Sequence, residues 1–282
     1  MFHNTESWIN YQPRDSPKIE KTSKSFYRIP MEFQLRRFAT VGSTMDVARS
    51  LIAREINSGL IVTAGAQTAG RGRIEGRSWE ASPGTSLLMT LCLKGDFSAA
   101  EAPSLRIGLA VHDVLSGYAP FRILIKWPND ILGLSVIEDD AQPRFRKLGG
   151  LICESTGGWL LAGIGINLRK ESYPETLKEK ATSLGEVAGL MPEPDRLALA
   201  LARAIAEAAV SRLKDNAWRE DYEKALWGIG EQIGFIVGHP ERGDEKKGII
   251  RGIDSSGRLL LLGDKGEAEA FWSGEISSLK SV

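Results

Sequence analysis

The residues best equipped for chemistry lie in Gln67-Thr68-Ala69-Gly70-Arg71-Gly72-Arg73-Ile74-Glu75-Gly76-Arg77-Ser78-Trp79. Arg71, Arg73 and Arg77 put permanent positive charge on planar forks that suit carboxylate or phosphate. Gly70, Gly72 and Gly76 let the backbone approach a ligand closely. Such a loop can close over an anion and be ordered by it. An arginine- and glycine-rich loop is as often a plain solvated turn. The spacing excludes two common alternatives: it is one residue too long for the dinucleotide fingerprint, and no Gly-Lys-Ser/Thr follows. Taken alone, the loop indicates an anion and no more.

Further polar groups fall near the ends of apolar runs. Lys126-Trp127-Pro128-Asn129-Asp130 joins a cation, an aromatic, a rigid turn and a carboxylate directly after an apolar run. Turn chemistry explains Pro128-Asn129, but not the flanking Lys126 and Asp130. Lys147-Leu148-Gly149-Gly150 opens another apolar run with paired glycines that permit close backbone approach. Gly163-Ile164-Gly165-Ile166-Asn167 ends a third. Ser43-Thr44 precedes a helical stripe, where Ser43 suits an N-cap and Asp46 the first turn. Capping explains Ser43 adequately, although a helix amino terminus also suits a polar ligand group.

These groups need a scaffold, and the chain is long enough to build one. At 282 residues it divides naturally into a large domain and a small one. Lysine plus arginine total 36 and aspartate plus glutamate total 36, so no global field draws in a polyanion. Nucleic acid is not an expected partner. Two cysteines, Cys92 and Cys153, lie in apolar runs and read as inert buried thiols. His3, His112 and His239 are scattered, and no metal site is expected. With no apolar signal core and no bilayer-length apolar run, a soluble, cytoplasmic protein without a membrane partner is expected.

Periodicity predicts strands over 33–38, 60–66, 86–93, 121–125, 131–137, 147–154 and 159–168. Helices are expected over 44–53, 102–118, near Ser183-Leu184, over 195–214 and over 216–227, with Pro103 in a first turn. From Glu231 the texture changes to short alternating strands over 233–237, 247–253, 257–262 and 267–272, a small barrel of the SH3-like kind. The expected fold is α+β: a mixed or antiparallel sheet flanked by helices, then the C-terminal β-barrel. The expected division is a loose extension over 1–30, a catalytic domain over 31–229 and the β domain over 230–282. The polar stretch over 138–144 is expected as a loop.

In this order the segments resemble the biotin protein ligases, whose catalytic domain is class II synthetase-like. The resemblance is carried by Ser43-Thr44, Gln67, Gly70-Arg71-Gly72-Arg73, Gly76-Arg77-x-Trp79, Lys126 to Asp130, Lys147 to Gly150 and Gly163 to Asn167. Each motif alone is weak, whereas the ordered set is specific and spans most of the large domain. The resemblance implies that biotin's carboxylate attacks the α-phosphate of ATP, with Mg²⁺ assisting, to give biotinyl-5′-AMP and pyrophosphate. A lysine amine on a biotin carboxyl carrier domain then displaces AMP. It implies a catalytic set of Arg73, Lys126, Lys147 and Asp130, with Asp130 orienting or deprotonating the incoming lysine. Biotin would meet Ser43, Thr44, Gln67, Gly70, Arg71, Arg73, Lys147, Gly149 and Gly150. ATP and the adenylate would meet Arg71, Arg73, Trp79, Lys126, Asn129, Lys147 and Asn167. The family loop usually reads Gly-Arg-Gly-Arg-x-Gly-Arg-x-Trp; Ile74-Glu75 make this one a residue longer, so Arg77 is expected outside the closed loop. The segment before Phe33 has no room for a winged helix, so a ligase without a repressor role is expected, with a homodimer left open. A lipoate or octanoate ligase is the enzymatic rival, but its Arg-Arg-x-Ser-Gly-Gly-Gly signature is missing. A nucleic-acid-binding module is the other, disfavoured by the neutral charge balance.

Overall fold

The computed structural model describes residues 7–10, 33–54, 59–95, 97, 102–135, 142–211 and 217–278. Strand β3 (Gly59–Gln67) sets the layering. Leu60 and Val62 face one side of the sheet and Ile61 the other, and all three are fully buried. A strand covered on both faces reads as one continuous apolar run, which is how it stands in the sequence.

The large sheet contains β1 (Ser7–Asn10), β2 (Phe33–Val41), β3, β4 (Ser86–Lys94), β5 (Ile123–Lys126), β6 (Asp130–Ser135), β7 (Arg144–Thr156) and β8 (Trp159–Asn167). Its eight strands run in the order β1-β2-β3-β4-β8-β7-β6-β5. The β2–β3 pair is parallel and every other pair is antiparallel, so the sheet is mixed, as expected. Helix α1 (Thr44–Ile52) lies on one face, over Leu60, Val62, Cys92 and Leu161. Helices α2 (Pro103–Ser116), α4 (Pro194–Ser211) and α5 (Ala217–Ala225) cover the opposite face, with Met89, Leu91, Leu160 and Ile164 beneath them. The short α3 (Leu184–Ala188) is capped by Ser183, which accepts from the Glu186 amide.

The second sheet holds β9 (Gln232–Val237), β10 (Glu245–Ile253), β11 (Leu259–Leu262), β12 (Ala268–Phe271) and β13 (Gly274–Ser278). It is antiparallel, in the order β12-β11-β10-β9-β13. Among the described residues β12 and β13 form its two edges, so the expected barrel is an open sheet. Trp127 ties the two sheets together: its indole donates to the Gly257 carbonyl at 3.0 Å, and its ring lies 6.3 Å from that of Phe235.

Three expectations need correction. Residues 7–10 of the presumed loose extension form a strand, with Ser7 opposite Arg37 and Asn10 opposite Gln34. A strand of only four residues is too short to show a clear alternation in the sequence. Phe121 is not in a strand: it has φ of 62° and is 97% exposed, and β5 starts at Ile123. Strand β13 was not anticipated, since its small polar residues hide its single buried apolar position, Ile276. Part of the loop expected over 138–144 and the last turn expected of α4 lie outside the described residues. Among the described residues no helix is long and apolar enough to cross a membrane. Burial pushes the Cys92 and Cys153 thiols up to about 12, which keeps both protonated and unreactive.

Candidate active site

The site occupies the α1 face of the large sheet, beyond the first turn of that helix. The ladder sets Gly165 opposite both Leu88 and Gly150, and Gly163 opposite both Thr90 and Ile152. Where other positions on this face carry side chains, these glycines leave the sheet surface low. The space above them is already shaped. A Cβ on Gly163 would come within 2.8 Å of Met45 Sδ, and one on Gly165 within 2.7 Å of Trp79 Cε2. The result is a cleft lined by Ser43, Gln67, Arg73, Trp79, Lys147 and Gly150 among others.

Its closed end is built around the start of α1. Ser43 occupies the N-cap position in extended conformation, but its side chain makes no capping bond. The capping reading of Ser43 is therefore corrected. The helix start is instead served by Gln67 from β3, whose Oε1 accepts from the Thr44 amide at 2.8 Å and the Thr44 hydroxyl at 3.1 Å. The Ser43 hydroxyl remains on the cleft wall. Asp46 pairs with Arg49 and Arg71 rather than with the helix start.

A bulge aims Lys147. Ile131 pairs with Gly149, but Leu132 pairs with Lys147, so Leu148 is an extra residue in β7. Leu148 is fully buried in the core beneath α2, on the same side as Leu151, while Lys147 lines the cleft. In regular alternation Lys147 would share the face of Gly149 and Leu151 and would point into that core. One inserted residue reverses its direction, a use of bulges common beside active sites. Lys147 Nζ then lies 2.7 Å from Asp130 Oδ1 and 5.9 Å from the centre of the Trp79 ring.

The arginine loop folds as a narrow hairpin. Trp79 N donates to Gly70 O at 3.0 Å, Gly72 N to Arg77 O at 2.7 Å and Arg77 N to Ile74 O at 3.1 Å. Gly76 takes φ of 83° at the turn, a conformation that favours glycine. Ile74-Glu75 are accommodated in this turn, and Arg77 is not expelled. It lines a second cavity, with Nη2 3.0 Å from Glu275 Oε2 of β13, an ion pair whose angle does not make a hydrogen bond. Arg73 Nη2 donates to the Gly274 carbonyl at 3.1 Å. Without ligand, Arg77 is held at the second cavity by its pairing with Glu275.

That second cavity adjoins the first and is lined by Arg73, Arg77, Lys126, Asp130, Lys147 and Glu275 among others. Gly72, Arg73, Trp79, Asn129 and Lys147 border both. Asn129 clamps the turn after β5 to β7: its Nδ2 donates to Leu151 O at 3.1 Å, and Leu151 N returns a bond to Asn129 O at 3.0 Å. Burial lowers the Lys126 pKa; Asp130 and Glu275 oppose this, and Lys147 and Arg77 reinforce it. Burial lowers Arg73 in the same way, against Asp130 and Glu275. So many cations with few carboxylates between them form a cluster ready for a strong anion.

Of the residues singled out in the sequence, Ser43, Thr44, Gln67, Arg71, Arg73, Trp79, Lys126, Asn129, Asp130, Lys147 and Gly150 line one or both cavities. Gly70, Gly149 and Asn167 do not. A Cβ on Gly70 would meet Trp79 O at 2.7 Å, so its role is to close the hairpin. On Gly149 it would meet Ile166 Cδ1 at 2.5 Å and Gly165 O at 2.6 Å, which makes this a packing glycine. Asn167 is buried and spends its amide on Thr182 O at 3.0 Å, holding β8 to the segment before α3. Glu275 and Arg77 were missed as a pair, because nothing local in the sequence places β13 beside the arginine loop.

The chain is matched by a family model described as "Biotin/lipoate A/B protein ligase family" over residues 38–171. A second, "Biotin protein ligase C terminal domain", matches residues 229–278. It is 30% identical over 237 residues to a biotin--[acetyl-CoA-carboxylase] ligase of Mycobacterium tuberculosis, covering 81% of this chain and 83% of that protein. A ligase of the same description from Paracoccus denitrificans is 33% identical over 237 residues, 76% of this chain and 90% of that one. Among solved structures, the biotin protein ligase of Aquifex aeolicus in complex with biotin and ATP superposes with a TM-score of 0.69 at 26% identity, covering 86% and 97% of the two chains.

Proposed function

The chain belongs to the biotin protein ligase family and is an ATP-dependent biotin ligase; from that premise we propose how its two cavities divide the reaction. The glycine-floored cleft takes biotin, with its ring system at the Ser43, Thr44 and Gln67 end. The cavity between the arginine hairpin, Lys126 and Glu275 takes the triphosphate. One observation carries this division: Arg73 and Lys147 border both cavities. A carboxylate and an α-phosphate repel each other, and cations fixed where they must meet lower that barrier.

In the first step a biotin carboxylate oxygen bonds to the α-phosphorus as the bond to the pyrophosphate oxygen breaks. Arg73 and Lys147 hold the approaching oxygens, and Lys126 and Arg77 take the charge that gathers on pyrophosphate. Trp79 walls the junction, its ring resting on Gly165. Asp130 is engaged by Lys147 at 2.7 Å, so its first task is to hold that ammonium in line. In the second step the lysine amine of a biotin carboxyl carrier domain attacks the acyl carbon, loses a proton and releases AMP.

Among the described residues no three His, Cys, Asp or Glu side chains cluster as a metal cage. A Mg²⁺ ion would be carried mainly on phosphate oxygens, with Asp130 and Glu275, paired here with Lys147 and Arg77, as the nearby carboxylates. Such an ion would neutralise part of the triphosphate charge.

Incubation with ATP and biotin should release pyrophosphate and accumulate an acid-labile biotinyl adenylate, and lipoate should not replace biotin. Pyrophosphate release that ignores biotin, or that responds equally to lipoate, would overturn the assignment. The Lys126 environment adds a pH signature. Its lowered pKa means that the cation is present below that value and lost as pH rises through it. The ATP dependence of kcat/KM should therefore fall on the alkaline side earlier than an ordinary lysine would dictate. Lys126→Arg, which stays charged, should move that limb to higher pH. Superimposable profiles would show that Lys126 does not set the limb.

A further inference from the structure

Strand β13 brings one carboxylate into the cation cluster. Gly274 and Ile276 turn inward: a Cβ on Gly274 would stand 2.7 Å from Phe235 Cε2, and Ile276 is buried. Period-two alternation then turns Glu275 outward, toward the arginine hairpin. Its Oε2 is shielded from solvent and accepts no hydrogen bond, yet it lies 3.0 Å from Arg77 Nη2. Among the described residues no other carboxylate pairs with Arg77. The charge of Glu275 also reaches Arg73 and Lys126. Asp130, the other carboxylate of this cavity, is taken by Lys147. A pair without an aligned hydrogen bond yields readily to an anion that offers one.

We propose that Glu275 is an internal counter-ion that occupies Arg77 until a polyphosphate displaces it. It thereby sets how tightly the second cavity holds ATP on entry and pyrophosphate on departure. Before ATP arrives, the ion pair keeps Arg77 at the cavity wall. As the triphosphate enters, Arg77 exchanges one poorly aligned oxygen for phosphate oxygens that its planar fork fits. Glu275 is then left beside the phosphates and repels them. The same repulsion acts on pyrophosphate, so the product is not trapped among Arg73, Arg77, Lys126 and Lys147. This inference rests on the reading of the second cavity as the triphosphate site.

The test compares Glu275→Gln, which keeps the shape and removes the charge, with Glu275→Asp, which keeps the charge. Glu275→Gln should lower the KM for ATP in adenylate formation about two- to fivefold, the scale of a partly exposed ion pair. The inhibition constant of inorganic pyrophosphate should fall by a similar factor. The KM for biotin should hold, because Glu275 does not line the biotin cleft. Glu275→Asp should show at most a small part of either gain. Tighter binding is a result that damage to the fold does not produce. An unchanged or raised KM for ATP in Glu275→Gln would overturn the inference; a rise would mean that Glu275 serves the nucleotide, by fixing Arg77 or by carrying the metal ion. Arg77→Ala keeps the inference and the reading beneath it apart. It should raise the KM for ATP, and no rise would remove the triphosphate from this cavity and the inference with it. A rise in Arg77→Ala without a gain in Glu275→Gln would sink the inference alone.

Discussion

Arg73→Ala and Lys147→Ala should each slow biotinyl-5′-AMP formation by about two to three orders of magnitude, the scale of losing one charge aimed at a transition state. Both side chains sit at the junction of the two cavities, where the proposed division of the site brings the carboxylate to the α-phosphate. The thermal midpoint should move little, since Lys147 and Asp130 form a partly exposed pair. Lys147→Ala carries a second penalty: the Asp130 carboxylate is left unpaired facing the incoming anions. Adding Asp130→Asn should therefore recover part of the lost rate, a non-additivity that a double-mutant cycle would measure. Single-turnover rates equal to wild type in both single variants would remove these residues from the chemistry.

Gly165→Val should be nearly as damaging, although it removes no charge. A Cβ at this position would stand 2.7, 2.9 and 3.1 Å from three atoms of the Trp79 indole. A rigid ring cannot bend away, so the whole side chain must leave the wall that it supplies to both cavities. We expect a loss of about a hundredfold in kcat/KM for ATP, in line with overpacking that costs about 1–3 kcal/mol. Trp79→Ala should produce much of the same loss, and Gly165→Val on that background should add little. Two losses that simply multiply would mean that the glycine serves something other than Trp79. The trio of low positions at 150, 163 and 165 is legible in sequence as three glycines in two strands. Their purpose is not legible, because it depends on which face of the sheet they share.

The elements themselves were largely written in the chain. β3, β4 and β8 are long apolar runs bounded by polar turns, and any strand buried on both faces must look that way. The motif set is likewise local: glycines and arginines in one loop, Lys126 to Asp130 in one turn, Lys147 at the head of one strand. Side-chain type and spacing marked the arginine loop as a place for an anion and singled out Arg73, Lys126 and Lys147, which the fold brings to two adjoining cavities. Tertiary structure decided the rest. Arg77 and Glu275 are remote in sequence and meet only because the second sheet docks against the turn that carries Trp127. Gln67 replaces Ser43 at the start of α1 because β3 ends beside that helix. Asn167 looks available in the sequence, yet Thr182 claims it. The direction of Lys147 hangs on the single extra residue at Leu148. Strand periodicity is a local property of one chain segment, whereas a bulge is defined by the partner strand that fails to match it, and only the assembled sheet contains both.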